Sequence, residues 1–195
     1  MNRRLPLILV AGVLVLCLVG VILAGISAGS GFGAVAYTVG DTKVLQQSVN
    51  DDLKALADNN KFATTALAPE FKTTYGAVNS SGAADWLTVE IFRQVGSDAL
   101  AKQHQKITDD DRNTALANVV SQAGPSFRTL LRKLPGGLQR RLLDVLALQS
   151  RVKAAAFKGV HITVDPKYGF WNAKRLAVCP PTGCPSAAAS STTGG

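Results

Sequence analysis

Histidine and charged residues are scarce in this sequence of 195 residues. It contains two histidines, His104 and His161, and only 17% of its residues are charged. No Gly-x-Ser-x-Gly turn, no phosphate-binding glycine loop and no metal-spaced set of His, Asp and Glu occurs in it. These absences exclude the familiar hydrolase, nucleotide-binding and metalloenzyme signatures. We therefore expect a protein that is not an enzyme and has no catalytic residues, cofactor or metal site.

Charge is entirely missing from residues 5–26, a stretch of 22 residues. As a helix this stretch would be about 33 Å long, which matches the hydrocarbon core of a bilayer. Residues 1–4 contain two arginines, so we expect them in the cytoplasm and the domain on the extracytoplasmic side of the cell membrane, in a single-pass arrangement. The alternative is a secreted protein with a cleaved signal, because small residues at 25–28 and 34–36 suit a signal peptidase.

Cysteine is also rare, with three residues in the chain. Cys17 lies within the uncharged stretch. Cys179 and Cys184 enclose Pro-Pro-Thr-Gly, a short turn-forming loop that a disulfide could close. We expect this disulfide because the domain is predicted to lie in an oxidising compartment. Two free thiols in an unstructured tail are the alternative.

Apolar residues recur at helical spacing along most of the remaining chain. The five predicted helices are residues 42–59, 83–105, 108–123, 126–134 and 138–157. In the second helix, Leu87, Ile91 and Val95 lie four residues apart and form an apolar stripe. The third helix has Thr108 as its N-cap and Asp111 at the capping-box position.

Short strands are predicted at both ends of the domain, at residues 34–39 and 160–164. A flexible linker at residues 27–33 joins the uncharged stretch to the domain. Residues 34–178 are therefore expected to form one mainly α domain with a few short β-strands, preceded by one transmembrane helix. Residues 179–195 hold the Cys-Pro loop and a low-complexity tail that is expected to be disordered.

The charges are divided unevenly between the two halves of the domain. Residues 34–124 hold 8 basic and 11 acidic side chains, whereas residues 125–195 hold 11 basic and 2 acidic ones. A basic face would suit anionic lipid headgroups, wall polymers or acidic partners. Its predicted members are Arg140, Arg141, Arg151 and Lys153.

The alternative for these residues is that the basic C-terminal helix packs beside the acidic helices and that both faces are merely solvated. Nucleic acid is not expected as a partner. The domain is predicted to be exported, and no recognition motif for nucleic acid is present.

Three stretches of the domain share a pattern with known exported proteins. Residues 34–41 are Ala-Val-Ala-Tyr-Thr-Val-Gly-Asp, and a predicted helix follows them. Residues 100–111 are Leu-Ala-Lys-Gln-His-Gln-Lys-Ile-Thr-Asp-Asp-Asp, and residues 164–172 are Val-Asp-Pro-Lys-Tyr-Gly-Phe-Trp-Asn. Together they resemble the opening strand, the helix junction and the closing element of SurA N-terminal-like domains in the SurA/PrsA family of exported chaperones and foldases.

The resemblance implies a helical chaperone domain that binds unfolded or exported polypeptides. Larger relatives insert a parvulin-type prolyl isomerase domain after the helix that corresponds to the predicted helix at residues 108–123. Residues 112–158 are predicted to be helical throughout, so we expect that this isomerase domain is absent. The alternative function is an envelope adaptor or structural module that binds an anionic partner or the membrane through its basic C-terminal half.

Large aromatic residues are the expected contacts for a polypeptide client, because they present much apolar area per residue. The five candidates are Phe62, Phe71, Tyr75, Trp86 and Phe127. The alternative is that they are ordinary core residues. In the closing element, Gly169 is expected to make the bend and Trp171 to fill the core.

Overall fold

The structure, a computed structural model, describes residues 33–59, 61–63, 73–74, 77–78 and 80–184. The predicted membrane span at residues 5–26 and the predicted tail beyond residue 185 lie outside the described residues. Among the helices that are described, none combines the length and the hydropathy needed to cross a bilayer.

Helices make up most of the described residues, which confirms a mainly α fold with a few short strands. The helices are α1 (Gln46–Asp58), α2 (Ser80–Ala101), α3 (Asp109–Ala123), α4 (Ser126–Leu131) and α5 (Gly136–Leu148). A 3₁₀ helix, Ala154–Phe157, follows α5. Helix α3 begins as predicted, because Thr108 Oγ1 accepts from Asp111 N at 3.1 Å and Asp111 Oδ2 accepts from Thr108 N at 2.8 Å.

The described strands pair antiparallel in three small sheets. They are β1 (Val35–Val39), β2 (Thr42–Leu45), β3 (Thr73–Thr74), β4 (Ala77–Val78), β5 (Ile162–Val164), β6 (Phe170–Asn172) and β7 (Ala177–Cys179). The first sheet has the order β2-β1-β5, and the other two are the pairs β3-β4 and β6-β7. Pairing of β1 with β5 joins the two ends of the domain, since Thr38 lies opposite Thr163.

The helix predicted at residues 42–59 begins four residues later than expected. Thr42–Leu45 forms β2 instead, and Val39 lies opposite Thr42 in a hairpin with a two-residue turn. Gly40 has a φ of 55°, which this turn needs and which glycine adopts without steric cost. Pairing with β1 therefore prevails over the helical spacing of the β2 side chains, and α1 starts at Gln46.

The last helix is shorter than the predicted 138–157. It ends at Leu148, and the chain turns before the 3₁₀ helix. The turn packs Val152 and Leu148 against Gly96 of α2, where a Cβ would lie 2.9 Å from Val152 Cγ2. It also places Phe157 between Phe92 and Trp171, with ring centroids 6.0 Å apart in both pairs. Burial of these side chains accounts for the break, which no glycine or proline marks in the sequence.

The core is built around α2. Its predicted stripe of Leu87, Ile91 and Val95 is buried, as are Val49 and Leu56 of α1. Helices α1 and α5, the first sheet and the β6-β7 pair pack around α2. The domain thus has one core, and the surface features described below lie at its periphery.

Candidate functional site

The aromatic residues predicted to contact a client are buried wherever they are described. Phe62, Trp86 and Phe127 have 2%, 0% and 7% of their surface exposed, and the rings of Phe62 and Phe127 pack 5.7 Å apart. The expectation that these three rings are exposed is therefore wrong, and their alternative role as core residues is correct. Phe71 and Tyr75 lie outside the residues whose side chains are described.

The predicted basic face does not exist as one free surface. Arg141 forms ion pairs with Asp52 and with Glu90, and Arg151 Nη1 lies 3.1 Å from Asp111 Oδ2. The other two members are exposed: Arg140, 3.9 Å from an oxygen of Asp109, and Lys153. The structure therefore corrects this prediction in favour of packing beside the acidic helices, because acidic side chains from the N-terminal half pair with Arg141 and Arg151.

The closing element anchors the C-terminal segment through Tyr168 rather than Trp171. Tyr168 is fully buried and its hydroxyl donates to Asn50 Oδ1 at 2.9 Å, whereas Trp171 is only partly buried. Burial raises the pKa of Tyr168 to about 12. Gly169 makes the predicted bend with a φ of 124°, and a Cβ there would lie 1.9 Å from Cys179 O. Only glycine fits at this position.

A disulfide closes the turn that follows this element. Cys179 and Cys184 are joined, with their Cα atoms 4.6 Å apart. Asn172 Nδ2 donates to Cys184 Sγ at 3.2 Å, so the bond is also tied to β6. The loop therefore holds β7 in place against the domain.

A partly buried charge cluster between α1, α2 and α5 was not predicted from the sequence. In it, Arg141 bridges Asp52 and Glu90 and stacks 5.9 Å above the ring of Trp86. Arg93 Nη2 contacts the other oxygen of Glu90 at 3.1 Å. Glu90 Oε1 is buried without a hydrogen bond, so the carboxylate depends on these two cations.

Burial is the largest influence on the pKa of each carboxyl group in this cluster. It raises the pKa of Glu90 above its usual range, although Arg93 and Arg141 oppose the shift. Burial likewise raises the pKa of Asp52 against the opposing effect of Arg141. For Arg141, burial alone would lower the pKa, but the charges of Glu90 and Asp52 outweigh it. The cluster links three helices through partly buried ion pairs whose desolvation opposes their mutual attraction.

Within the described part of the chain, strand β2 has an open edge, because β1 covers only one of its sides. The backbone groups of successive residues in a strand point to opposite sides. Gly40 N, just after β1, donates to His161 O, just before β5, at 2.9 Å, so the even-numbered residues of β1 bond on the side of β5. Odd-numbered residues of β1 therefore bond to β2, and their partners there are Thr42 and Val44. The backbone N–H and C=O of Lys43, between these two, point to the open edge.

A groove of about 500 Å³ runs beside this edge. Its lining residues come from β2 and the first two turns of α1: Lys43, Val44, Leu45, Gln47, Ser48, Asp51 and Asp52. Leu45 is 45% exposed, and only Phe170 matches it among the large apolar side chains of the described residues. The candidate site thus combines a free backbone edge, one exposed apolar side chain and acidic side chains. Sequence reasoning missed it because the segment was assigned to a helix.

The titratable residues singled out in the sequence do not meet in this groove. His104 and His161 are both exposed. His104 lies just after α2, and His161 lies beside the turn between β1 and β2. Within the described residues, no three His, Cys, Asp or Glu side chains are grouped so that they could hold a metal ion. The groove itself offers backbone, apolar and acidic groups as contacts.

Comparison with known proteins identifies no relative. No protein-family model, no curated protein and no solved structure matches the chain. The similarity to the SurA/PrsA family therefore stays a prediction from the three motifs.

Proposed function

We propose that the protein is a membrane-tethered, extracytoplasmic, chaperone-like protein that binds extended segments of non-native exported polypeptides and has no isomerase activity. The observation that carries this proposal is the open edge of β2 beside the groove at α1. The client adds a short strand to this edge, a recognised mode of peptide binding. Phe62, Trp86 and Phe127, which are buried, have no part in this binding.

The edge suits clients of varied sequence. Main-chain groups are common to all polypeptides, and those of Lys43 are available for two hydrogen bonds. Each such bond contributes about 0.5–1.5 kcal/mol net, so the client is held weakly and released readily. Transient, sequence-tolerant binding is what protection of an unfolded chain requires.

The groove adds a preference to this binding. Leu45 offers apolar area to a client side chain, and Asp51 is exposed nearby with no ion pair among the described residues. Alternate side chains of an extended segment point to the same face of a strand. An apolar residue and a basic residue two positions apart would therefore match the groove.

The position of the groove agrees with a tether. Gln46 N, at the start of α1, donates to Ala34 O at 2.8 Å, so the chain that leads back to residues 5–26 passes beside Leu45. With residues 5–26 in the membrane, the groove lies at the end of the domain to which the tether is attached.

A light-scattering assay tests the proposal. The full chain in neutral lipid nanodiscs is mixed with a denatured exported protein, and empty nanodiscs serve as the blank. We expect suppression of aggregation that weakens at least about threefold in Lys43→Pro, because proline removes the outward N–H at an edge position that tolerates it. The matched control, Lys43→Gln, keeps that N–H and should retain suppression.

Two results would contradict the proposal. The first is no suppression by the unmodified chain at excess. The second is equal suppression by Lys43→Pro and the unmodified chain, with circular dichroism showing that both are folded. Turnover of a prolyl peptide would separately overturn the absence of isomerase activity.

A further inference from the structure

Two neighbouring arginines differ from most others in the described residues. Five arginines form ion pairs with carboxylates: Arg93, Arg112, Arg140, Arg141 and Arg151. Arg128 and Arg132 are exposed, and no carboxylate among the described residues lies within ion-pair distance of either. Their charges are therefore not used inside the described part of the domain.

The packing of α4 explains why these cations face solvent. Phe127, Leu130 and Leu131 are buried and hold one side of this helix against the core. Arg128 and Arg132 are four positions apart, which places them one turn apart on the opposite side. Burial of the apolar side thus fixes the outward direction of both guanidinium groups.

Two lysines extend this charge. Lys133 follows Arg132 directly, and Lys133 and Lys61 line a cleft of about 260 Å³ whose walls include Phe62 and Leu130. We call Arg128, Arg132, Lys133 and Lys61 the α4 basic cluster. Among the residues that the structure describes, Asp58 is the one carboxylate that lines the same cleft, and two lysines outnumber it there.

The α4 basic cluster and the β2 edge lie at opposite ends of α1. The edge adjoins Gln46 at the start of this helix, whereas the cleft contains Asp58 at its end. Thirteen residues of helix separate these two ends by roughly 20 Å. The α4 basic cluster is therefore separate from the edge proposed to bind polypeptides.

We propose that the α4 basic cluster binds an extended phosphate-bearing polymer on the extracytoplasmic side. Guanidinium groups bind phosphate through two parallel hydrogen bonds, and ammonium groups bind it as point charges. Arg128 and Arg132 lie one turn apart, and Lys133 and Lys61 line one cleft, so several cations can contact several phosphates of one chain at once, which a single small anion does not offer. The proposal rests on the proposed extracytoplasmic location but not on polypeptide binding at β2.

Polyphosphate titration tests this inference. The full chain in neutral lipid nanodiscs is titrated with long-chain polyphosphate, and binding is followed by calorimetry at two salt concentrations. We expect binding that weakens with salt, and a loss of about tenfold or more in Arg128→Gln/Arg132→Gln. The matched control, Arg140→Gln/Lys153→Gln, removes the same charge from exposed positions outside the cluster and should change affinity by less than about twofold.

Other outcomes would overturn the inference. They are no binding by the unmodified chain, an equal loss in both double variants, and orthophosphate binding as tightly per phosphate as the polymer. Dependence of anionic-vesicle binding on Arg128 and Arg132, with polyphosphate unaffected, would instead make the membrane the partner. Lys43→Pro should bind polyphosphate normally, so failure of this inference and failure of the polypeptide-binding proposal can be told apart.

Discussion

Arg132 and Arg141 lie nine residues apart in the sequence, yet they serve opposite purposes. Arg141 is drawn into a partly buried cluster by Asp52 and Glu90, and it stacks over Trp86. Arg132 lies at the end of α4 with its charge in solvent. A count of basic residues in the C-terminal half therefore overstates the charge that is available to a partner, because ion pairs within the domain neutralise part of that charge.

The largest expected effect comes from removing Arg141. In Arg141→Gln, Glu90 and Asp52 lose their shared cation while Glu90 remains buried, and the free energy of unfolding should fall by about 3 kcal/mol. The measurement is urea denaturation of the full chain in detergent micelles, followed by tryptophan fluorescence. Arg141→Lys should be intermediate, because it keeps the charge but loses the planar fork.

A double variant sharpens this prediction. Glu90→Gln/Arg141→Gln removes both charges, so its loss should be smaller than the sum of the two single losses. Additive losses would show that the two residues stabilise the domain independently. The cluster would then not be the unit that fastens α1, α2 and α5.

The pH dependence of stability gives the second prediction. The pKa of Glu90 is raised in the folded protein, so the folded state holds its proton at pH values where the unfolded state has released it. Stability from this residue is present below the ordinary glutamate pKa and is lost as pH rises through the raised value. The difference in unfolding free energy between the unmodified chain and Glu90→Gln should therefore decrease from mildly acidic to neutral pH.

Urea denaturation of both proteins across this pH range provides the measurement. The comparison with Glu90→Gln cancels the contributions of acids outside the charge cluster, such as Asp111, whose pKa is lowered by hydrogen bonds from Thr108. A difference that stays constant, or that increases with pH, would contradict the raised pKa of Glu90.

The elements that were predicted correctly depend on local sequence. The capping box of Thr108 and Asp111 involves two residues three positions apart, and the stripe of Leu87, Ile91 and Val95 needs only the helical period. Short-range chemistry is sufficient to specify such features.

The elements that were missed depend on distant partners. Arg141 meets Asp52 across 89 residues, and Tyr168 meets Asn50 across 118. The side chains of β2 fit both a helix and a strand, and its pairing with β1 decides between them. The candidate groove lies between β2 and α1, so it could not be predicted while both were taken as one helix.

The smallest expected effect tests whether Arg128 and Arg132 contribute to the stability of the domain. Arg128→Gln/Arg132→Gln should change the free energy of unfolding by no more than about 0.5 kcal/mol, because neither side chain has an ion-pair partner among the described residues. The same urea denaturation that measures Arg141→Gln provides the value. A loss near that of Arg141→Gln would show that both regions use their arginines for stability, and weaker polyphosphate binding could then be ascribed to a damaged fold.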